Sequence, residues 1–299
     1  MPRLKLLKII LCLCVLSTLG GCASPPQPLR KLSEAEKKLI EICQNEYKLE
    51  IVLKPLNNTL WIYVPQREAF LDFKANDQGA QNSPEAKESL SIKFLEGKFI
   101  DGTFKLTYDI GTSKTYTKDY GFATQFNEQY QENQRNILTA IYRAFADLQI
   151  TSKGSPQAEK TPDFFILVIA DIIKGIETQT TFYFPDILRG MSDPSFNEEY
   201  TKRIIPDSPV GNKDIILDNR GDHLDIQELT WAEFLIKQIV YRIQYKYQRS
   251  SLPPSAETKN EILKIFKETV EAYQFKDFTA FELHDLDKGT IETFEKSKP

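Results

Sequence analysis

The densest run of ligand-type side chains is Asp218-Asn-Arg-Gly-Asp-His-Leu-Asp225, which holds Asp218, Asp222, His223 and Asp225 in one short segment. Carboxylates this close can offer hard oxygens to calcium, and His223 beside one of them could act as an acid–base pair. The segment lacks the odd-position ligands and closing glutamate of an EF-hand loop, and Asp, Asn and Gly are the residues that make turns. The expectation is four mostly exposed turn residues and no bound metal. A site built on carboxylates would need Asp171, Asp218, Asp222 or Asp225 to converge in a pocket. Asp171 interrupts an apolar run near a turn, where a strand end reaching solvent is the simpler reading.

Other reactive side chains are few. His284 lies in His284-Asp-Leu-Asp-Lys-Gly289, which reads as a turn between two strands. Nucleophile-elbow, phosphate-loop, HExxH and CxxC motifs are missing, and two histidines leave little material for a zinc site or a histidine-dependent triad. Tyr241, Tyr245 and Tyr247 could form an aromatic binding strip, but at helical spacing half-buried packing is expected. Cys43 falls on the apolar stripe of a helix and reads as a small buried hydrophobe. No catalytic residue and no cofactor is expected.

Cys22 is different. Arg3, Lys5 and Lys8 precede an apolar run ending at Leu19, the order of a secretory signal, and the stretch from Leu6 is 14 residues long. A helix crossing the hydrocarbon core needs about 20. Leu19-Gly20-Gly21-Cys22 resembles the lipobox of bacterial lipoproteins. That resemblance, confined to residues 1–22, implies a signal peptide over 1–21, cleavage before Cys22, a diacylglycerol thioether on its sulfur, and acylation (palmitate) of the new amino terminus. Two or three acyl chains exceed the two-signal threshold for stable anchoring, so membrane lipid is an expected partner. Ala23 stands where an aspartate favours inner-membrane retention in enterobacterial lipoproteins. The resemblance thus implies an outer-membrane anchor facing the periplasm. Residues 22–31 are proline-rich and read as a short, stiff tether.

Composition bounds the rest. The full chain carries 38 Lys and Arg against 42 Asp and Glu, and loss of the signal removes three of the basic residues. Such an acidic chain lacks the clustered basic surface of a nucleic-acid binder. Cys12 and Cys14 leave with the signal and Cys22 takes the lipid, so Cys43 has no partner and disulfides do not hold the fold. With 41% hydrophobic and 11% aromatic residues, a packed core can do so instead.

The elements follow from local pattern. Ser33-Glu-Ala-Glu36 is a capping box opening a helix to about Glu46. Glu50 to Lys54, the turn Pro55-Leu-Asn-Asn58, Leu60 to Val64, and Glu68 to Phe73 read as strands, followed by a loop from Ala75 to Ser89. Leu90 to Leu95, Lys98 to Ile100 and Thr103 to Ile110 read as a meander, turning at Glu96-Gly97 and Asp101-Gly102. Gln125 to Leu148 is a helix with Ile137, Ile141 and Phe145 on one face, and 151–161 is a linker. Phe164 to Ile173 reads as a doubly covered central strand and Ile176 to Phe184 as its antiparallel neighbour, with Ile176, Thr178, Thr180 and Phe182 on one face. Short helices are expected at Pro185 to Gly190 and Ser195 to Arg203, then mostly loop from Ile205 to Asp225. Capping boxes at Thr230-Trp-Ala-Glu233 and Thr258-Lys-Asn-Glu261 open two more helices, and Phe278 to Leu283 and Thr290 to Phe294 are late strands.

The class is α+β, with amphipathic helices packed on mainly antiparallel sheet. Residues 32–150 and 162–299 read as two halves, and Ile141-Tyr-Arg143 against Val240-Tyr-Arg242 raises the question of a duplicated strand–helix unit. The function expected is a membrane-anchored, non-enzymatic interaction or assembly module of the cell envelope with a protein partner. The alternative is an envelope hydrolase or ligand-binding protein with a carboxylate-based site.

Overall fold

The computed structural model describes residues 29–75, 87–115, 122–151, 161–249 and 257–296. The signal, Cys22, most of the tether, most of the 151–161 linker and residues 251–255 lie outside the described residues.

Helix α1 (Glu34–Asn45) begins with the expected capping box: Ser33 Oγ accepts from the Glu36 amide at 3.2 Å, and Glu36 Oε2 accepts from the Ser33 amide at 2.7 Å. Hairpin β1 (Val52–Pro55) and β2 (Thr59–Gln66) follows, then β3 (Leu71–Ala75), β4 (Lys87–Ile100), β5 (Thr103–Thr115) and β6 (Phe122–Phe126). Helix α2 (Glu128–Thr151) starts at Asn127, whose Oδ1 accepts from the Tyr130 amide at 2.9 Å. The central strand β7 (Phe164–Asp171) is buried along its whole length and pairs antiparallel with β8 (Ile176–Tyr183). Then come α3 (Phe184–Ser192), a turn of 3-10 helix, α4 (Asn197–Arg203), and the two-residue strands β9 (Ile205–Pro206) and β10 (Val210–Gly211). Helices α5 (Trp231–Arg249) and α6 (Thr258–Ala272) and hairpin β11 (Ala280–Asp285) and β12 (Thr290–Glu295) complete the chain. The fold is α+β with mostly antiparallel pairing.

One sheet runs β1-β2-β7-β8-β10, with β9 also on β8 and β2 parallel to β7. Its two faces are covered differently. Leu60, Ile62, Val64, Phe165, Leu167 and Ile169 pack under α1 and α2, including the expected Ile137, Ile141 and Phe145. Trp61, Tyr63, Ile166, Val168 and Ala170 face the other way and are roofed by the loop that carries Ile216, Leu224 and Ile226. A doubly covered strand is thus capped by helices on one side and by irregular chain on the other.

A second sheet, β12-β11-β5-β4, packs under α5 and α6, with β11 parallel to β5. Strand β4 runs unbroken through Glu96-Gly97, correcting the expected turn there. A Cβ on Gly97 would lie 2.6 Å from Ile236 Cγ1, so the glycine marks where α5 comes closest to the strand. The turn lies at Asp101-Gly102, both at positive φ, as a two-residue hairpin requires. The third capping box also differs: Glu257, with no side-chain cap, is the N-cap of α6, and Glu261 pairs with Lys246.

Segments 32–150 and 162–299 each give strands to both larger sheets, so the linker does not divide the fold. Helices α2 and α5, which carry the two similar tripeptides, cover different sheets.

Candidate functional site

The roofing loop, residues 212–229, contains the acidic segment. Its backbone geometry is built around Asp218. Oδ1 of that side chain accepts from the amides of Arg220, at 2.6 Å, and Gly221, and Oδ2 accepts from Asp222 at 3.2 Å. Gly221 is in the left-handed region at φ +64°, and a Cβ there would meet the Tyr63 ring at 2.8 Å. Only glycine lets the loop turn and touch the sheet at once. Tyr63 donates from its hydroxyl to the Asp218 carbonyl at 2.8 Å, and Lys54 Nζ to the Gly221 carbonyl at 2.6 Å. Further along, Trp61 Nε1 donates to the Gln227 carbonyl at 2.9 Å, and the Leu229 amide to Thr59 Oγ1 at 2.9 Å.

These ties deliver His223 into a slot between strand and loop. Its Nε2 lies 2.8 Å from Glu177 Oε2 on β8 and its Nδ1 3.1 Å from Asp218 Oδ2, and the Tyr63 ring meets it edge-on at 5.8 Å. The His223 side chain is only 8% exposed. Burial disfavours the imidazolium, but the bonds from Glu177 and Asp218 and their charges outweigh it, raising the pKa above the ordinary histidine value. Asp218 is held low: burial pushes its pKa up, and the bonds from His223 and three backbone amides more than reverse this. Burial drives the Tyr63 phenol well above its ordinary range.

The expectation that all four residues are exposed is therefore only half right. Asp222 and Asp225 are exposed, whereas Asp218 and His223 form a built cluster with Glu177. Asp171 is a further correction. It is 2% exposed and does not reach solvent; its Oδ1 accepts from the amides of Ile173 at 3.0 Å and Lys174 at 2.8 Å, capping the β7–β8 turn. Asp171 and Asp218 each hold a turn, and the four aspartates do not meet in one pocket. Both nitrogens of His223 are engaged by carboxylates, so neither is available to take a proton from a substrate without dismantling the loop. Among the described residues no group of three or more His, Cys, Asp or Glu could hold a metal.

Glu177 escaped the sequence reading, although the alternation of β8 contains the signal. If Ile176, Thr178 and Thr180 face the helices, Glu177 must face the loop. His284 sits within β11, opposite Ile291, rather than in the turn, and its Nε2 meets Glu282. Cys43 is fully buried, and burial pushes its thiol up to about 12. Tyr247 is buried in the second core while Tyr241 and Tyr245 are half-buried, so the three form no strip.

Two other surface features among the described residues bear on function. A cavity of about 360 Å³ is lined by Lys202, Arg242, Lys246 and Lys264, but each of these cations is already paired, with Glu198, Glu199, Glu261 and Glu268 respectively. At the far end of the first sheet, the β7–β8 turn packs on residues 210–217, with the Asn212 amide donating to the Gly175 carbonyl at 2.8 Å. Ile172 and Ile216 are buried there, while Ile173, Val210, Ile215 and Leu217 are each more than 50% exposed. Lone exposed aliphatics are ordinary; four on two adjoining segments are a patch.

No protein-family model matches the chain, and neither a curated protein nor a solved structure matches it. No helix among the described residues is long and apolar enough to cross a membrane.

Proposed function

We propose that the chain is a lipoprotein, anchored through Cys22 to the periplasmic face of the outer membrane, that works as a non-enzymatic interaction module. The patch of Ile173, Val210, Ile215 and Leu217 is its docking surface, and the occupant is an envelope protein with an aliphatic cleft.

The observation that carries this reading is the placement of the patch relative to the tether. Arg30 is clamped where the tether ends: its amide donates to the Pro55 carbonyl at 3.3 Å, its Nε to the Leu56 carbonyl at 3.0 Å, and its guanidinium grips Glu36. That is the Thr59 and Phe164 end of the paired strands β2 and β7, whereas the patch adjoins the Gln66 and Asp171 end. The seven steps between the eight paired residues, at about 3.3 Å each, separate the two ends by roughly 23 Å. With Cys22 as the anchor, the patch would lie at the end of the strands opposite to where the tether joins the fold, which supports a protein as occupant over that lipid surface.

The test is a photo-crosslinking residue at position 215 of the lipidated protein in its own envelope. The expected product is an adduct with a different protein, lost in Ile173→Glu/Leu217→Glu and retained in the equally exposed control Leu286→Glu. An adduct with lipid, with a second copy of this chain, or one indifferent to the patch substitutions overturns the reading.

A further inference from the structure

We propose that His223 is a pH-sensitive latch, which in its protonated form holds the 212–229 loop, and with it Ile215 and Leu217 of the apolar patch, closed on the sheet. The inference deepens the docking reading above and rests on it only for its consequence, because the latch itself is internal to the chain.

Donors and acceptors around the ring decide its charge. One ring joins Glu177 on β8, 2.8 Å from Nε2, to Asp218 in the loop, 3.1 Å from Nδ1. Two carboxylates offer only acceptors, so both contacts are hydrogen bonds only when both nitrogens carry protons, and only the imidazolium meets that condition. Loss of one proton leaves one bond and turns the other contact into a lone pair facing an anionic oxygen. The strand-to-loop bridge then opens on one side.

The surrounding groups support the cation. Glu177 faces the ring from β8, Tyr63 from β2, and Asp218 from the loop itself. From β1 comes Lys54, whose ammonium is held by the Gly221 carbonyl and by Asp222 at 3.3 Å. Arg220 contributes its amide to Asp218, with its side chain on the exposed side of the loop. Two carboxylates thus touch the ring, and the Lys54 ammonium is already paired.

The sign follows from linkage. A histidine whose folded pKa is raised contributes stability fully below its unfolded value of about 6.5 and loses it as pH rises through the folded value. Asp218 has a lowered pKa, so its side of the latch persists on acidification to below the ordinary carboxylate value. The loop is therefore closed in mild acid and loosens toward alkaline pH. Ile215 and Leu217 flank the buried Ile216 immediately before Asp218, so loosening at His223 releases part of the docking patch from its fixed shape.

Trp61 reports on this directly, because its ring lies beneath the loop and its Nε1 is bonded to the Gln227 carbonyl. The chain has two tryptophans, and Trp231→Phe leaves Trp61 alone. Iodide quenching of that protein should rise with pH through a single midpoint above about 6.5. His223→Gln should abolish the midpoint. Glu177→Gln, which keeps the imidazole, should move it down toward the ordinary value, and carries the test with an NMR titration of the His223 ring if His223→Gln does not fold. Quenching independent of pH, a midpoint surviving in His223→Gln, or one unmoved in Glu177→Gln overturns the latch. No partner is added, so a failure of the crosslinking experiment and a failure of the latch are read separately.

Discussion

Arg203 Nη1 donates to Asp186 Oδ1 at 2.9 Å, and both side chains are withdrawn from solvent, at 13% and 8% exposure. The pair ties α4 to α3. Tyr273, just past α6, donates to the other Asp186 oxygen at 3.0 Å, and the guanidinium lies over the rings of Phe196 and Tyr273. Removing one member strands the other charge in a poorly hydrated place, so Arg203→Met should destabilise by about 3–5 kcal/mol. Asp186→Leu combined with Arg203→Met should recover much of that loss, since a buried pair is worth little more than apolar replacements of similar volume. Urea denaturation of both single variants and of the double measures this; a loss in the double variant equal to the sum of the two single losses would show that the pair is not coupled.

At Gly97 the second sheet tolerates no side chain. The Ile236 and Val240 side chains occupy the place of its Cβ, at 2.6 and 2.8 Å. Gly97→Val should cost about 1–3 kcal/mol through overpacking, and Ile236→Ala in the same protein should restore part of it. A Gly97→Val protein with an unchanged denaturation midpoint would mean that α5 does not bear on β4 there.

Calcium should have no effect on stability. Both oxygens of Asp218 are taken by backbone amides and His223, and Asp222 and Asp225 face solvent. A ligand bound only by the folded state raises the melting temperature, so millimolar calcium and chelator should give the same value. A calcium-dependent rise would put a cation site in the loop.

Cys22→Ser should leave an uncleaved or soluble form when expressed in a bacterial envelope, judged by mobility and by fractionation. A variant still processed and membrane-bound would refute lipidation at that residue. The processed, lipidated protein tests Cys43, because the signal has taken Cys12 and Cys14 and the lipid occupies Cys22. With a fully buried thiol pushed up to about 12, it should resist iodoacetamide until denatured.

How much could be read from the sequence depended on the distance over which each feature was decided. Ser33 with Glu36, and Thr230 with Glu233, were legible because a capping box lies within one turn, and both form. Thr258 with Glu261 has the same spelling but fails, because Lys246 on the neighbouring helix takes the glutamate. Phe164 to Asp171 announced a central strand through its unbroken apolar run. Gly97 misled because a glycine in a strand can mean a turn or a close neighbour, and α5 lies more than a hundred residues further on. For the candidate site, the sequence marked the acidic loop but left His223 exposed. Its burial depends on Glu177, 46 residues away, and on Tyr63 from another strand.

The pairing of β5 with β11 sets an order of assembly. Tyr108 and Asp285, joined by a hydrogen bond across that pair, are 177 residues apart. While the chain emerges from its N-terminus, the β4–β5 hairpin must wait with one edge unfilled until β11 arrives. An open edge of this kind is a template for wrong pairing, and closing so long a loop is entropically slow. The second sheet is therefore the late and vulnerable step of folding, and chains truncated before Ala280 are left with an exposed β5 edge and a tendency to aggregate.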